Sequence, residues 1–362
     1  MSHPSPSFIP DAHLLLEWYD QNGRTLPWRA EKSAKTDPYH VWLSEIMLQQ
    51  TGVKTVIDYY HKFLTKWPNI KAFSQASEEE VMKEWAGLGY YARARNLLKC
   101  AHKIIELGGA FPTSPQELKK LPGIGPYTAN AIASMAFNQP YVAIDGNVER
   151  VAARIFALAD PLPASRPTLH KLAETLNHSP AAQNRPSDFM QALFDLGSLI
   201  CTPRSPACLS CPWLKTCQAF KTNQAAELPK RSPKAKNPTK YGAVFILENA
   251  AGEIWLQKRP PKGLLGSTME MPGTDWNLER EEETELMKQA PIPGHWQKAE
   301  EVKHIFTHFT LFLTPYFLPP LTQKISYKKG GWANPEEAAL STLMKKAYQN
   351  FLRKKSTSQE AD

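Results

Sequence analysis

Four cysteines within seventeen residues are the feature that most limits what this chain can fold into. They occur as Cys201-x6-Cys208-x2-Cys211-x5-Cys217, and the fifth cysteine is Cys100. Disulfides are rare in reducing compartments, so thiols at this spacing indicate a bound metal. The spacing alone suits either a structural zinc ion or an iron–sulfur cluster. Cys100 lies in a helical pattern and is predicted to be a small core residue.

Length and charge restrict the class of protein. The 362 residues are 42% hydrophobic, which is enough for two or three globular domains. The start, MSHPSPSFIP, lacks the regions of a signal peptide, and no apolar run could span a membrane. We therefore expect a cytoplasmic protein, nucleoid-associated if its source is bacterial, with no membrane partner. A net charge of +8 suits a polyanionic partner without identifying it.

The pattern of residues changes near residue 240. Residues 8–220 carry apolar side chains at helical spacing, which predicts a helical domain that ends in the cysteine loop 201–217. Residues 221–240 are basic and form either a solvated linker or a segment that contacts phosphates. Residues 241–352 predict an α+β second domain, followed by a frayed tail at 353–362.

Within the second domain, three elements are predicted. Residues 242–248 and 253–259 alternate around the turn 249–252 and predict a β-hairpin. Residues 309–317 predict a further strand, and residues 335–351 predict a closing helix.

A Gly-x-Gly turn joins two helical segments of the first domain. The sequence Leu-Pro-Gly-Ile-Gly-Pro-Tyr occupies residues 121–127. Such a turn exposes backbone N–H groups at the N-terminus of the second helix, where a phosphate can bind. A bare Gly-x-Gly turn is often only a connection. Gly123 and Gly125 are therefore candidate DNA-phosphate contacts.

Taken together, these motifs resemble the MutY family of adenine DNA glycosylases, in the endonuclease III superfamily. The resemblance rests on the cysteine spacing, on Leu-Pro-Gly-x-Gly, and on Ser-Glu-Ile-Met-Leu-Gln-Gln-Thr at residues 44–51. It implies an all-α helix-hairpin-helix glycosylase domain with an iron–sulfur cluster loop, followed by an α+β MutT-like (Nudix-fold) domain. It also implies that the four clustered cysteines hold a 4Fe-4S cluster.

Two carboxylates are candidates for catalysis. Glu45 shares a helical stripe with Val41 and Leu48, where burial would raise its pKa and keep it protonated, although it could also be an edge residue that reaches water. Asp145 precedes a helix and could be only its N-cap. The resemblance implies that Glu45 protonates the adenine and that Asp145 stabilises the cationic sugar.

The residue at position 127 separates two reaction classes. Bifunctional relatives carry a lysine there, whose amine forms a Schiff base with the sugar and cleaves the strand. Tyr127 cannot form an imine, so the resemblance implies a monofunctional enzyme that stops after removing the base. Tyr127 and Asn147 would position the intermediate and the water.

The resemblance also implies binding residues. Those expected to line the adenine pocket, besides Glu45, are Leu26, Trp28, Arg29 and Gln191. Those expected to wedge into the duplex are Gln50, Leu88 and Tyr90. On composition alone, Tyr90 would instead be a core aromatic residue.

The second domain lacks the clustered carboxylates of a true Nudix hydrolase, and the acidic residues 279–285 are predicted to be a solvated surface segment. Phe306-Thr307-His308 resembles the family's Phe-Ser-His loop, which senses 8-oxoguanine opposite the target adenine. The alternative is a strand-end phenylalanine packed in the core beside an exposed His308.

The function implied is removal of adenine mispaired with 8-oxoguanine, and also with guanine, from double-stranded DNA in base excision repair. The chain is expected to act as a monomer and to leave an abasic site. Three alternatives are a bifunctional pyrimidine glycosylase–lyase, a nucleotide pyrophosphohydrolase and a non-enzymatic DNA-binding iron–sulfur sensor. The first is disfavoured by Tyr127, the second by the missing carboxylates, and the third by the pairing of Glu45 with Asp145.

Overall fold

The computed structural model describes residues 8–30, 36–233, 237–321, 327 and 330–359. The chain divides into two compact units. The first comprises Met1–Ser74 and Lys99–Lys234, and the second comprises Gln75–Leu98 and Ala235–Asp362. These limits differ from the predicted domains because Gln75–Leu98 belongs to the second unit.

The predicted basic linker is attached to the first unit around residues 228–232. Leu228 is buried there. The backbone N–H of Leu162 donates to the Lys230 carbonyl, and the N–H of Ser232 donates to the Leu162 carbonyl, each at 2.9 Å. This part of the linker is thus hydrogen-bonded to the first unit, while most of its side chains remain exposed. Lys234 and Lys236 of the predicted linker lie outside the described residues.

Helices dominate the chain up to residue 221, which confirms the predicted helical first domain. In chain order they are α1 Ala12–Asn22, α2 Pro38–Leu48, α3 Val53–Lys66, α4 Ile70–Ser74, α5 Glu78–Trp85, α6 Ala92–Glu106, α7 Pro115–Leu118, α8 Pro126–Met135, α9 Gly146–Ile155, α10 Arg166–Thr175, α11 Pro180–Asn184, α12 Pro186–Asp195 and α13 Gln218–Lys221. A π-helical turn, Leu196–Ile200, continues α12 toward the cysteine loop. None of the described helices combines the length and apolar composition that a membrane crossing requires.

Local signals set the ends of these helices. The carboxylates of Asp11, Asp37 and Asp145 accept backbone N–H bonds at the starts of α1, α2 and α9. Pro126 occupies the first turn of α8, where a missing N–H costs nothing, and Gly125 precedes it as N-cap. Helix starts are therefore largely encoded by single residues.

The core of the first unit forms around α9. Every side chain from Val148 to Ile155 is buried, and apolar residues of α1, α10 and α12 pack in the same cluster. A helix buried on all sides has little freedom to shift. Its N-terminus, at Asp145, is therefore a fixed point of the unit.

Two small sheets build the second unit. Its strands are β1 Thr239–Ile246, β2 Ile254–Lys258, β3 Met269–Glu270, β4 Gln297–Lys298, β5 Val302–Ile305, β6 Thr310–Phe317 and β7 Gly331–Ala333. In one sheet β6 pairs with β1 in parallel and with β4 and β5 antiparallel, and in the other β2 lies between β3 and β7. The helices that follow β3 and β7 are α14 Glu283–Lys288 and α15 Thr342–Gln359. The α+β prediction is confirmed, and so is the strand predicted at 309–317.

The predicted β-hairpin at 242–259 is wrong in its extent. Antiparallel contact between the two segments is limited to the turn, where Asn249 N–H donates to the Glu253 carbonyl and Trp255 N–H to the Leu247 carbonyl. Beyond the turn, β1 and β2 enter different sheets. Alternating apolar residues made both segments strands, but the partner of each strand was decided by distant parts of the chain.

The closing helix begins seven residues later than the prediction from Pro335. Asn334 instead starts a turn, in which its side chain accepts the N–H of Glu336. Leu340 then bridges to Met269, and the Ser341 hydroxyl accepts the N–H of Met344 at the start of α15. The predicted tail is also helical as far as Gln359, while residues 360–362 lie outside the described part.

Candidate active site

One pocket of the first unit is lined by most of the predicted site residues. Its volume is about 840 Å³, within the usual range for ligand sites. The predicted residues that line it are Leu26, Trp28, Arg29, Glu45, Gln50, Gly123, Gly125, Tyr127, Asp145, Asn147 and Gln191. The fold therefore brings together residues that are up to 165 positions apart in the sequence.

The Glu45 carboxyl is buried inside this pocket. Only 5% of Glu45 is exposed, so it does not reach bulk water from the edge of α2. The Tyr127 hydroxyl donates to Glu45 Oε2 at 2.6 Å. Burial, assisted by the charge of Asp145, raises the pKa of Glu45 to about 7, while the Tyr127 hydrogen bond and Arg29 oppose the rise. Near neutral pH the carboxyl can thus carry or release a proton, which suits a general acid.

Asp145 is both a helix cap and a pocket residue. Its Oδ1 accepts the N–H groups of Asn147 and Val148 at 2.9 and 2.8 Å, and its Oδ2 accepts the Asn147 side-chain amide at 2.8 Å. Burial raises the pKa of Asp145, and these hydrogen bonds oppose the rise by stabilising the carboxylate. Asp145 is therefore the N-cap of α9, as the alternative interpretation of the sequence stated, and it also lines the pocket that contains Glu45.

Arg150, which the sequence did not single out, holds Asn147 in position. Its guanidinium donates to Asn147 Oδ1 at 2.9 Å, to the Gly197 carbonyl at 2.6 Å and to the Cys201 carbonyl at 2.7 Å. An added Cβ at Gly197 would lie only 2.6 Å from Asn147 Cβ, so the close approach requires glycine. Arg150 follows Asn147 by one helical turn, and that spacing is the signal that could have revealed it.

Asp195 is a second residue that the sequence did not single out. It is fully buried and accepts two hydrogen bonds from Arg29, each at 2.8 Å, and two from Arg24. Burial alone would raise the pKa of Asp195, but the two guanidinium groups hold it below its ordinary value. The ion pair with Asp195 fixes the position of the pocket residue Arg29. The sequence signal for Asp195 was the presence of a charged residue in the apolar run 189–197.

Gln191 lines the pocket and is held through its amide nitrogen. Its Nε2 donates to the Ser187 carbonyl and hydroxyl at 3.3 and 3.2 Å. No described residue donates a hydrogen bond to the amide carbonyl oxygen of Gln191, which can therefore act as an acceptor where Gln191 lines the pocket. Trp28 is buried and packs edge-on against Tyr60.

The predicted phosphate-binding turn lies at the pocket rim. Gly123 adopts a φ of +77°, which favours glycine, and Gly125 is the N-cap of α8. Gln50 lies on the same rim with a φ of +60°, an uncommon backbone for a residue with a side chain. Backbone strain of this kind concentrates at functional sites.

The four clustered cysteines surround an apolar pocket of the first unit. The buried Arg154 donates to Cys201 Sγ at 3.2 Å and to the Thr202 and Pro203 carbonyls. Among the described residues, no three cysteine, histidine or acidic side chains are grouped to hold a single metal ion. Four thiols around one cavity are a donor set that suits an iron–sulfur cluster or a structural zinc ion.

The remaining predicted DNA contacts belong to the second unit. Leu88 is buried there, with 4% exposed, whereas Tyr90 is 51% exposed. Phe306 stacks on Trp276 with ring centroids 5.7 Å apart, and Thr307 and His308 are exposed. Insertion of Leu88 or Phe306 into a duplex would require each to leave its packing, so those roles remain predictions.

Comparison with known proteins identifies the family. Residues 43–178 match the HhH-GPD superfamily of base excision DNA repair proteins, and residues 243–350 match the NUDIX domain. The chain is 36% identical over 399 residues to an adenine DNA glycosylase of Mus musculus, covering 93% of this chain and 77% of that protein. The chain belongs to the adenine DNA glycosylase family. It is therefore a DNA N-glycosylase.

Other relatives agree with this assignment. An adenine DNA glycosylase of Buchnera aphidicola (subsp. Schizaphis graminum) is 34% identical over 307 residues, which cover 84% of this chain and 86% of that protein. A solved thermostable thymine-DNA glycosylase shares 29% identity at a TM-score of 0.50, over 58% of this chain and 95% of its own. The family resemblance and the two-part fold inferred from the sequence are thus confirmed.

Asp195→Asn should destabilise this glycosylase by about 3 kcal/mol, because it leaves the guanidinium of Arg29 buried without a negative partner. Urea unfolding followed by circular dichroism measures the change. Asp20→Asn is the matched control, since Asp20 pairs with Arg185 at a half-exposed site and should cost under about 1 kcal/mol. Equal losses in the two variants would show that the buried pair has no special role.

Proposed function

We propose that this glycosylase removes adenine mispaired with 8-oxoguanine or with guanine in duplex DNA and leaves an abasic site. The observation that carries the proposal is the buried Glu45 carboxyl, bonded to Tyr127 and close enough to Asp145 for their charges to interact. A proton donor and a carboxylate in one water-poor pocket are what cleavage of a purine N-glycosidic bond needs.

The first step is proton transfer from Glu45 to the adenine ring, most simply at N7. Adenine is a poor leaving group as an anion, and protonation lets it depart neutral as the C1′–N9 bond breaks. General acid catalysis of this kind contributes about 3 to 5 kcal/mol. Gln191 offers an acceptor for the exocyclic amine, which would favour adenine over guanine in the pocket.

Asp145 acts on the sugar that remains. Its carboxylate stabilises the developing positive charge at C1′, either as an ion pair or by transient covalent capture as in retaining glycosidases. Asn147 holds one carboxylate oxygen through its amide, and Arg150 orients that amide. Water then adds to C1′, and Glu45, now ionised, accepts the proton of the water.

The reaction stops at the abasic site. Strand cleavage by a bifunctional glycosylase needs an amine that can form a Schiff base. Tyr127 occupies the lysine position of the bifunctional relatives, and no lysine is among the described residues that line the pocket. The hydroxyl of Tyr127 is instead committed to Glu45.

Recognition of the opposite base is assigned to the turn between β5 and β6. The target adenine is undamaged, so its partner must supply the discrimination. Thr307 and His308 are exposed at this turn, and the packed Phe306 supports them. Their short polar side chains can probe a base edge.

A 4Fe-4S cluster held by Cys201, Cys208, Cys211 and Cys217 is part of the proposal. When bound, it would cross-link the loop 201–217 through four iron–thiolate bonds. The Cys201 carbonyl accepts from Arg150 and the Cys201 sulfur from Arg154, so the loop is tied directly to α9. The cluster thus has a structural role in this scheme.

The proposal is tested by incubating the purified full chain with duplexes that carry adenine opposite 8-oxoguanine, guanine or thymine. We expect free adenine from the first two duplexes, faster with 8-oxoguanine, and an intact strand until the abasic site is treated with alkali. Chromatography detects the base, and denaturing gels detect the strand. Strand cleavage without alkali, or trapping of a lysine adduct by borohydride, would contradict the monofunctional assignment.

The single-turnover rate of adenine release should follow the protonation of Glu45. It should fall as pH rises above about 7, because Glu45 then loses its proton, and fall again in acid as Asp145 becomes protonated. Glu45→Gln should bind the duplex yet react at least about a hundredfold more slowly at every pH.

Two controls separate chemistry from folding. Ionisation of the buried Glu45 lowers folding stability as pH rises from 4.5 to about 7, so Glu45→Gln should resist urea better than the wild type at pH 8. Asp145→Asn keeps a good N-cap and should fold normally while losing activity. Near-normal turnover in either variant would rule out its catalytic role.

Chemical analysis of anaerobically purified protein should find four irons and four sulfides per chain, since four thiolates satisfy one cubic cluster. Cys208→Ser should lose iron and soluble protein together, because binding of metal and folding are coupled. Cys100→Ser is the control, since Cys100 is buried outside the cysteine loop. Stoichiometric zinc in place of iron would overturn the cluster assignment.

A further inference from the structure

The loop that carries Tyr90 has an unusual backbone. Gly87 and Gly89 adopt φ values of +114° and +70°, and Tyr90 itself has a φ of +48°. Glycine takes up such conformations freely, but a residue with a side chain pays about 1 kcal/mol for them. Tyr90 is also 51% exposed, so burial of its ring does not compensate. Some other contact must hold this residue in place.

Arg93 makes that contact. Its Nη2 donates to the Leu88 carbonyl at 3.0 Å and to the Gly89 carbonyl at 3.3 Å. The guanidinium also lies over two rings, 5.0 Å from the centroid of Trp85 and 5.7 Å from that of Tyr90. One planar cation therefore fixes both the backbone before Tyr90 and the face of its ring.

Trp85 adds a second brace. Its indole N–H donates to the Gly89 carbonyl at 3.0 Å, the same oxygen that accepts from Arg93. Burial lowers the pKa of Arg93 to about 10, which leaves the guanidinium protonated at neutral pH. The loop is thus held by a guanidinium that is charged at neutral pH and lies over two aromatic rings.

The hydroxyl of Tyr90 contacts the turn between β5 and β6, which is the turn proposed to recognise the base opposite adenine. Tyr90 Oη and Thr307 Oγ1 share a hydrogen bond of 2.9 Å, and both residues belong to the second unit. The Asn237 amide donates to the Thr307 carbonyl at 3.2 Å and holds the turn from its other side. The position of Thr307 therefore depends on where Tyr90 stands.

We propose that Arg93 is a positioning residue for recognition of the base opposite adenine, acting through Tyr90 on Thr307. The inference rests on the function proposed above for the turn at Phe306 to His308. Lysine is a poor substitute for Arg93, because its ammonium group is a compact charge without the planar, delocalised surface that Arg93 places over the rings of Trp85 and Tyr90. Loss of Arg93 releases Tyr90 from its left-handed backbone, and the hydroxyl pair with Thr307 then separates.

The test compares Arg93→Lys with Arg95→Lys in the full chain. Arg95 lies on the same helix and donates to the Gly266 carbonyl of the same unit, so it controls for loss of an arginine–carbonyl contact. Hydrogen exchange is measured first, on peptides that cover residues 86–91 and 305–309. Arg93→Lys should speed exchange in both peptides, whereas Arg95→Lys should leave them unchanged.

The second measurement is the ratio of adenine release opposite 8-oxoguanine to release opposite guanine. Arg93→Lys should reduce this ratio about tenfold while release opposite guanine stays within about twofold, as expected from loss of one well-oriented hydrogen bond. Thr307→Val removes the hydroxyl that pairs with Tyr90, and because Thr307 is exposed the substitution should not disturb folding. Adding Arg93→Lys to Thr307→Val should lower the ratio no further.

The outcomes distinguish the two proposals. Unchanged exchange at residues 305–309 in Arg93→Lys, or equal effects of Arg93→Lys and Arg95→Lys, would overturn the role of Arg93. Additive losses with Thr307→Val would overturn its action through Tyr90. If the wild-type enzyme showed no preference for 8-oxoguanine, the proposed role of the turn in recognising the opposite base would be overturned. Faster exchange in both peptides of Arg93→Lys would in that case still support the positioning of Tyr90.

Discussion

The removal of one carboxyl group from water is the constraint on which the active site depends. Raising the pKa of Glu45 from 4.5 to about 7 corresponds to about 3 kcal/mol against its ionised form. The protein must therefore keep water out around α2 and still offer the carboxyl a hydrogen-bond partner, which Tyr127 provides. The buried Glu45 carboxyl lowers the folding stability when it is ionised, and the apolar core around α9 offsets this loss.

Three of the predicted site residues that the structure places in the pocket have sequence signals confined to one element. The stripe around Glu45, the position of Asp145 before a helix and the glycine turn at Gly123 each concern one helix or one connection. Their convergence on one pocket could not be derived from spacing and came only through the family resemblance. Asp195 was overlooked because its partners Arg24 and Arg29 lie over 160 positions away.

The wrong β-hairpin prediction in the second unit also arose because the deciding contacts are distant in the sequence. Alternation identified β1 and β2 as strands, but nothing local indicated that β1 would pair in parallel with β6. The acidic segment 279–285 was correctly predicted to lie on the surface, and α14, which begins at Glu283 near its end, buries no side chain. The turn between β5 and β6 lies within residues 243–350, which match the NUDIX domain.

Gly197 illustrates how a residue without a functional group can belong to an active site. Its Cα approaches Asn147 so closely that even a methyl group would displace that side chain, and its carbonyl accepts from Arg150. An alanine at this position would look conservative and would suit the surrounding helical backbone. Scales of hydrophobicity or helix propensity would therefore misjudge a substitution of Gly197. The new side chain would occupy the space of Asn147, which orients Asp145.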